Sequence, residues 1–364
     1  MSTFTKSVPY FWNLCSWKKE NSNVIIKNSS FSKNSANVGG AVYVDSSTAV
    51  ISTSTFADNT AKSGEGGAIY SSKWTHIENS TFLRNTADAK GGAIYTNYIQ
   101  FGQNVFFINN TAKDHGGAVY TDYISNNICN INFNGNKVTA DFGGAIYINK
   151  KSGNVYFINS TFISNSATAG DGGAIYSDSG STNIILINSI FKNNHANGGK
   201  EKRYGGAIRC CNRLTVDNCT FIDNWAENLG GAIYTNTIDS IKNSVFISNH
   251  AKEGGAIYVN NKCSMSITNS YFNSNKATDG RGGAIYTDSK STSLTINNNA
   301  IRTVNFANIT LSRLNGSWIS DADNTNKFFT GVPTLEQKEL TSILLLPVHW
   351  RFSLLLWQKV LSLS

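Results

Sequence analysis

Ten times along the chain a Gly-Gly pair is followed by Ala, then Ile or Val, and in nine of the ten copies by Tyr. The pairs begin at Gly39, Gly66, Gly91, Gly116, Gly143, Gly172, Gly205, Gly230, Gly254 and Gly282. Upstream of each stands a Phe with an Asn three residues on, from Phe31/Asn34 to Phe272/Asn275, and the Phe-to-Phe spacing runs from 25 to 30 residues. A period of that length holds two or three short strands with turns and leaves no room for a helix. Propeller blades need about 40–50 residues, and leucine-rich repeats need a Leu framework that is absent here. Unit stacked on unit, with each strand pairing in parallel with its copy in the next, is the arrangement that remains.

Two polar columns run in phase with the aromatic one. Three residues before each Phe stand Asn28, Thr53, Asn79, Asn104, Asn130, Asn159, Asn188, Asn218, Asn243 and Asn269. Two residues after each Tyr position stand Asp45, Ser72, Asn97, Asp122, Asn149, Asp178, Cys211, Asn236, Asn260 and Asp288. Runs such as Ile184-Ile185-Leu186-Ile187 read as short strands. The glycines supply positive φ at a corner and let the next coil approach closely. The fold expected is therefore all-β: a parallel β-helix of about ten coils, with Phe on Phe and Ile on Ile inside the tube and Asn on Asn along amide ladders.

The chain has 364 residues with 40% hydrophobic content, which suffices for a core; three prolines against 31 glycines argue against a Pro-rich linker. The formal charge of +8 is a mild excess spread along the chain, read as a solvated basic surface. No basic stripe interleaved with aromatics points to nucleic acid. Six cysteines, Cys15, Cys129, Cys210, Cys211, Cys219 and Cys263, show no zinc spacing and are too sparse to hold the fold as a disulfide framework. One local disulfide among Cys210, Cys211 and Cys219 is the expectation for an exported chain.

Residues 1–22 read as an irregular segment or N-terminal cap, with Tyr10, Phe11, Trp12 and Trp17 placed to shield the first coil's open edge. Residues 1–19 contain no apolar core of signal-peptide length, because Lys6, Pro9, Asn13 and Ser16 interrupt it. The repeats occupy 23–301, with Asn298 and Ile301 opening a degraded eleventh coil. Residues 302–340 look irregular, and 341–364 form a short apolar tail too interrupted for a membrane span.

The alternation of Gly-Gly-Ala-Ile with Phe-x-x-Asn over residues 23–301 resembles the repeat of chlamydial polymorphic outer-membrane proteins. It is similar also to the Asn/Thr-rich adhesin-like surface proteins of methanogenic archaea. The resemblance implies a right-handed β-helix at the cell surface, acting in adhesion, and carries no catalytic residue across. The chain departs from the chlamydial pattern in lacking about 250–300 C-terminal residues of alternating strands for an outer-membrane barrel. That departure favours the archaeal-type relative or a fragment.

Parallel β-helices also host polysaccharide lyases and glycosidases, and glycoside hydrolysis needs two carboxylates about 5–9.5 Å apart. The acids of the turn column, Asp45, Asp122, Asp178 and Asp288, are never in adjacent coils, so they read as rungs of a structural ladder. His76, His115, His195, His250 and His349 show no metal spacing and read as surface turn residues. The Gly-Gly pairs sit at repeat corners, which is not the setting of a nucleotide loop. Sequons at Asn28, Asn79, Asn109, Asn159, Asn218, Asn308 and Asn315 coincide in part with the inward or laddered Asn column, where a glycan would break stacking.

One coil departs from the rest. Residues 198–203 insert Gly-Gly-Lys-Glu-Lys-Arg, and the same coil replaces the motif Tyr with Arg209. Insertions in a solenoid fall in loops, often on the binding face, so Lys200, Lys202, Arg203 and Arg209 are the candidate partner contacts. The expectation is a cell-surface adhesin-like or envelope structural protein without catalytic residues, metal or cofactor. Its expected partners are glycans or proteins of another cell. A carbohydrate-active β-helix enzyme is the alternative, and a non-binding spacer or a piece of a longer envelope protein is the third reading.

Overall fold

The structure, a computed structural model, describes residues 2–4, 15–18 and 23–319, apart from 126, 151, 179–181, 199–202, 262, 289–291, 303–305 and 308. Each coil begins at the Gly-Gly corner. In the first pair-member the backbone lies at positive φ, +64° at Gly116. A Cβ added to the second member, Gly117, would sit 2.0 Å from the carbonyl oxygen of Gly144 in the next coil. One glycine turns the chain and the other lets two coils touch backbone to backbone.

A strand follows each corner, such as Ile94–Phe101, in which inward and outward side chains alternate. It ends at the Asn column, where Asn79, Asn104, Asn159 and Asn218 hold φ of 46–56°. Asn tolerates this left-handed conformation better than other residues with a Cβ. A short strand carrying the motif Phe comes next, such as Thr81–Leu83. A third strand of two residues, such as Thr86–Ala87, precedes the loop back to the next glycine pair. The pairings between coils among the described residues are parallel and, bulges in four strand pairs apart, in register: Ile69 faces Ile94, which faces Val119, and Phe82 lies between Phe56 and Phe107. These third strands, two residues long in the first eight coils and longer in the last two, form a separate ten-stranded sheet from Ser35–Ala36 to Lys276–Arg281. The expected parallel β-helix is therefore the fold.

The tube is filled by stacked side chains. The motif phenylalanines from Phe56 to Phe272 are fully buried, and neighbouring rings from Phe31 onward lie 4.7–5.0 Å apart, nearly parallel. Each buried Phe stabilises the folded chain by about 2–3 kcal/mol through removal from water. Beside them runs the Asn of Phe-x-x-Asn. Asn110, fully buried, donates from Nδ2 to Oδ1 of Asn136 (3.0 Å) and to the carbonyl of Phe82 (3.0 Å). Its backbone N–H donates to the same Oδ1 of Asn136 (3.0 Å), and its own Oδ1 accepts from Asn85. Every hydrogen-bonding group of the side chain is satisfied, so the polar column costs little to bury.

A second buried polar column follows the left-handed Asn and was not read from the sequence: Ser29, Ser54, Ser80, Ser160, Ser189, Cys219, Ser244 and Ser270. Each side chain accepts the N–H of its counterpart in the preceding coil where both are present, as Ser54 does for Ser29 (3.2 Å). Cys219 takes a serine's place, with Sγ 3.4 Å from the N–H of Ser189.

The N-terminal strand Ser2–Phe4 pairs with Val24–Ile26, and Cys15–Lys18 pairs with Val42–Asp45, so this backbone lies along the first coil. Tyr10, Phe11 and Trp12 fall outside the described residues. At the other end pairing continues past 301. Thr292–Arg302 sets Ile301 on Phe272, and Ile309–Ile319 pairs along it, placing Trp318 beside Ile301. The described part of 302–340 is thus largely strand, with Ile301 and Trp318 standing in line with the Phe column. The tail 341–364 lies outside the described residues.

Candidate binding surface

The outside of the tube carries a tyrosine ladder on the strand after each glycine pair. Tyr43, Tyr70, Tyr95, Tyr120, Tyr147 and Tyr176 stack at 4.9–5.3 Å, and Tyr234, Tyr258 and Tyr286 continue it. Burial raises the phenol pKa values, to about 12 at Tyr95 and Tyr234. The phenol of Tyr147 donates to Asp178 (3.0 Å), while Asp122 accepts from Asn149 (2.8 Å) and pairs with Lys150 (2.7 Å). These turn-column acids are engaged with tyrosine, amide and lysine partners from their own or neighbouring coils.

Arg209 interrupts the ladder. Its guanidinium lies 4.1 Å from the ring centre of Tyr234 and 5.5 Å from that of Tyr204, and Tyr204 itself stacks on Tyr234 at 4.6 Å. Tyr204 belongs to the chain just after the insertion, so this coil supplies its ring from another position. Nε of Arg209 forms an ion pair with Asp171 Oδ2 at 3.5 Å, too long for a good hydrogen bond, and Nη1 is buried with no hydrogen-bond partner among the described residues. Asp171 also accepts the N–H of Tyr204 (3.0 Å). Burial pushes its carboxyl up to about 6, with the Arg209 charge opposing that shift.

The four candidate contacts therefore divide. Lys200 and Lys202 lie outside the described residues. Arg203 is buried, 6% exposed, and its Nε donates to the carbonyl of Gly198 (2.7 Å) across the base of the insertion. Arg209 is held between tyrosine rings and a buried carboxylate. Arg203 is buried and Arg209, on the outer wall, is engaged by tyrosine rings and Asp171, which departs from the reading of the insertion as a set of four open contacts. A charged residue in a ladder position is taken up by the ladder, because its planar cation stacks on aromatic faces.

Three further expectations change. His76, His195 and His250 sit on strands, and His115 is packed against Tyr147 (4.5 Å) and Phe142 (5.6 Å), so none is a plain turn residue. Burial lowers the pKa of His115, His195 and His250. Cys129, Cys210, Cys211, Cys219 and Cys263 are free thiols; Cys210 points into the core and Cys211 outward, as adjacent strand residues must. The sequon residues Asn28, Asn79, Asn109, Asn159 and Asn218 are exposed at turns, not turned into the tube. The outward column is laddered nonetheless, as Asn218 Nδ2 donates to Asn188 (2.7 Å).

Among the described residues no three His, Cys, Asp or Glu side chains converge as a metal set. A shallow open groove crosses Thr60, Thr86 and Thr111 on the two-residue-strand wall. Tyr98 and Phe106, 45% and 42% exposed, are the large apolar side chains most open to solvent among the described residues. Tyr98 stacks on Tyr123 (4.5 Å) on the same wall as the tyrosine ladder, and Phe106 lies on the motif-Phe strand.

These features define a repeat protein of the right-handed parallel β-helix class, in which inner columns build the tube and outer ladders clothe it. A family model described as a right handed beta helix region matches residues 17–191. The model of the Chlamydia polymorphic membrane protein repeat matches residues 218–236, 243–260 and 269–288. No curated protein matches the chain, and no solved structure does.

Proposed function

We propose that the chain is a cell-surface, adhesin-like or envelope protein of the autotransporter-like kind, presenting the side walls of its β-helix to glycans or proteins of another cell. The observation that carries this reading is the match of three successive coils to the polymorphic membrane protein repeat. The scaffold needs Phe, Ile, Asn and Gly at fixed places, and leaves the outer residues free to be chosen for contact. The abundance of asparagine in the repeat supports kinship with the adhesin-like proteins of methanogenic archaea as well.

Antibody labelling of intact source cells, with and without external protease, tests the location. Labelling that protease removes is the expected result. Labelling seen only after lysis would overturn it.

A further inference from the structure

Three adjacent coils carry an aromatic residue at a place where the scaffold requires none. Trp74 pairs in register with Tyr98, and Tyr98 with Tyr123. In later coils the same column holds Arg213 and Thr237, which pair with each other in a parallel strand that carries bulges of its own. The fold therefore accepts cationic or small polar residues here. Placing three aromatics side by side, one of them 45% exposed, is not explained by packing of the tube.

The neighbouring outward columns are polar. Ser72, Asn97 and Asp122 flank the stripe on one side, and His76 and Gln100 on the other. Among the described residues no hydrogen-bond partner is found for the indole N–H of Trp74, the hydroxyls of Tyr98 and Tyr123, or the amide of Gln100. These groups are left to water or to a ligand. The local charges balance: Lys73 and Lys150 stand against Glu78 and Asp122, and Lys150 is already paired with Asp122 at 2.7 Å. A surface of aromatic carbon, unengaged hydrogen-bonding groups and no net charge suits a ligand that is itself neutral, hydroxyl-rich and apolar on its ring faces.

We propose that Trp74, Tyr98 and Tyr123 form a binding site for an uncharged saccharide chain. Tyr98 stacks on Tyr123, and the Lys150 ammonium lies 5.8 Å from the Tyr123 ring centre, so it is the outward aromatic carbon of the stripe that contacts the C–H faces of pyranose rings. The phenol, indole and Gln100 groups bind the sugar hydroxyls. The stripe spans two coil steps of ~4.8 Å, roughly the length of a disaccharide unit. The register of the coils pre-orders the site, so little conformational entropy is lost on binding. This assignment deepens the surface-contact reading above and rests on it for its biological role, while the site itself is a property of the purified chain.

The test uses the full chain with immobilised tetrasaccharides of glucose, mannose and N-acetylglucosamine, beside sialylated and sulfated probes, followed by calorimetry on the neutral probe bound best. Wild type should bind at least one neutral probe. Trp74→Ala and Tyr98→Ala should weaken that binding by about tenfold or more, with melting curves unchanged. Tyr98→Phe, which keeps the ring, should lose less, and Phe106→Ala, on a different strand, should lose nothing. Absence of neutral-probe binding would overturn the site. So would binding confined to the anionic probes, or binding indifferent to both alanine variants. Adherence of protein-coated beads to cells separates the two readings. Adherence that survives Tyr98→Ala, when oligosaccharide binding does not, removes this site's role in adherence and leaves the adhesin reading. Oligosaccharide binding without any adherence removes the adhesin reading and leaves the site.

Discussion

Arg209 stands where nine other coils carry tyrosine, and it keeps its place by pairing with Asp171 and lying on Tyr234. The cation replaces one ring of the stack at the cost of burying a carboxylate. The folded pKa of Asp171, about 6, lies above its ordinary value of 3.8. Between those two values the folded chain holds a proton that the unfolded chain releases. This carboxyl's contribution to stability therefore falls as pH rises from about 4 to about 6, and its penalty is fully present at pH 7. Wild type should gain stability relative to Asp171→Asn when the pH is lowered from 7 to 5. Urea midpoints of both proteins at the two pH values measure this, and a gap that stays constant would refute it.

At the level of the element, the informative unit is the column. The Asn ladder works because each amide meets donors and acceptors in the coils on both sides, so one deletion orphans groups in several coils. Asn110→Ala would leave the carbonyl of Phe82 and the N–H and amide donors of Asn85 without their partners, all in the dry interior. A loss of about 3 kcal/mol is expected. Denaturation followed by far-UV circular dichroism reads it, and a loss under about 1 kcal/mol would mean that the ladder contributes little. The serine column obeys the same logic. It explains why Cys219 is a thiol held by the backbone of its neighbours and not half of a disulfide.

For the whole β-helix, contacts run only from coil to coil, so the structure should tolerate loss of a complete repeat. Deleting residues 230–253 joins Leu229 to Gly254 and keeps every column in phase. The shortened protein should fold cooperatively and measure ~4.8 Å less along its axis by small-angle scattering. Removing half as many residues from the same place would throw the Phe and Asn columns out of register and should abolish folding. A half-coil deletion as stable as the full-coil one would contradict this account of the stack.

Periodicity alone determined a good deal: the β-helix, its coil boundaries, the stacked Phe, the existence of Asn ladders and the two uses of glycine. It did so because a side chain repeated at one place in every coil has no neighbour but its own copies. Three features needed the tertiary structure. The sequons' Asn column and the amide-ladder Asn column look alike in sequence, and only backbone direction sends Asn79 outward and Asn85 inward. The insertion at 198–203 suggested a contact loop bearing Arg203 and Arg209, whereas burial takes up Arg203 and ring stacking on the outer wall takes up Arg209. Trp74 falls one residue further from its glycine pair than Tyr98 and Tyr123 do from theirs, because an extra residue bulges the strand between Ser71 and Trp74. Register, which depends on hydrogen bonds between coils, is what brings these three rings into one line.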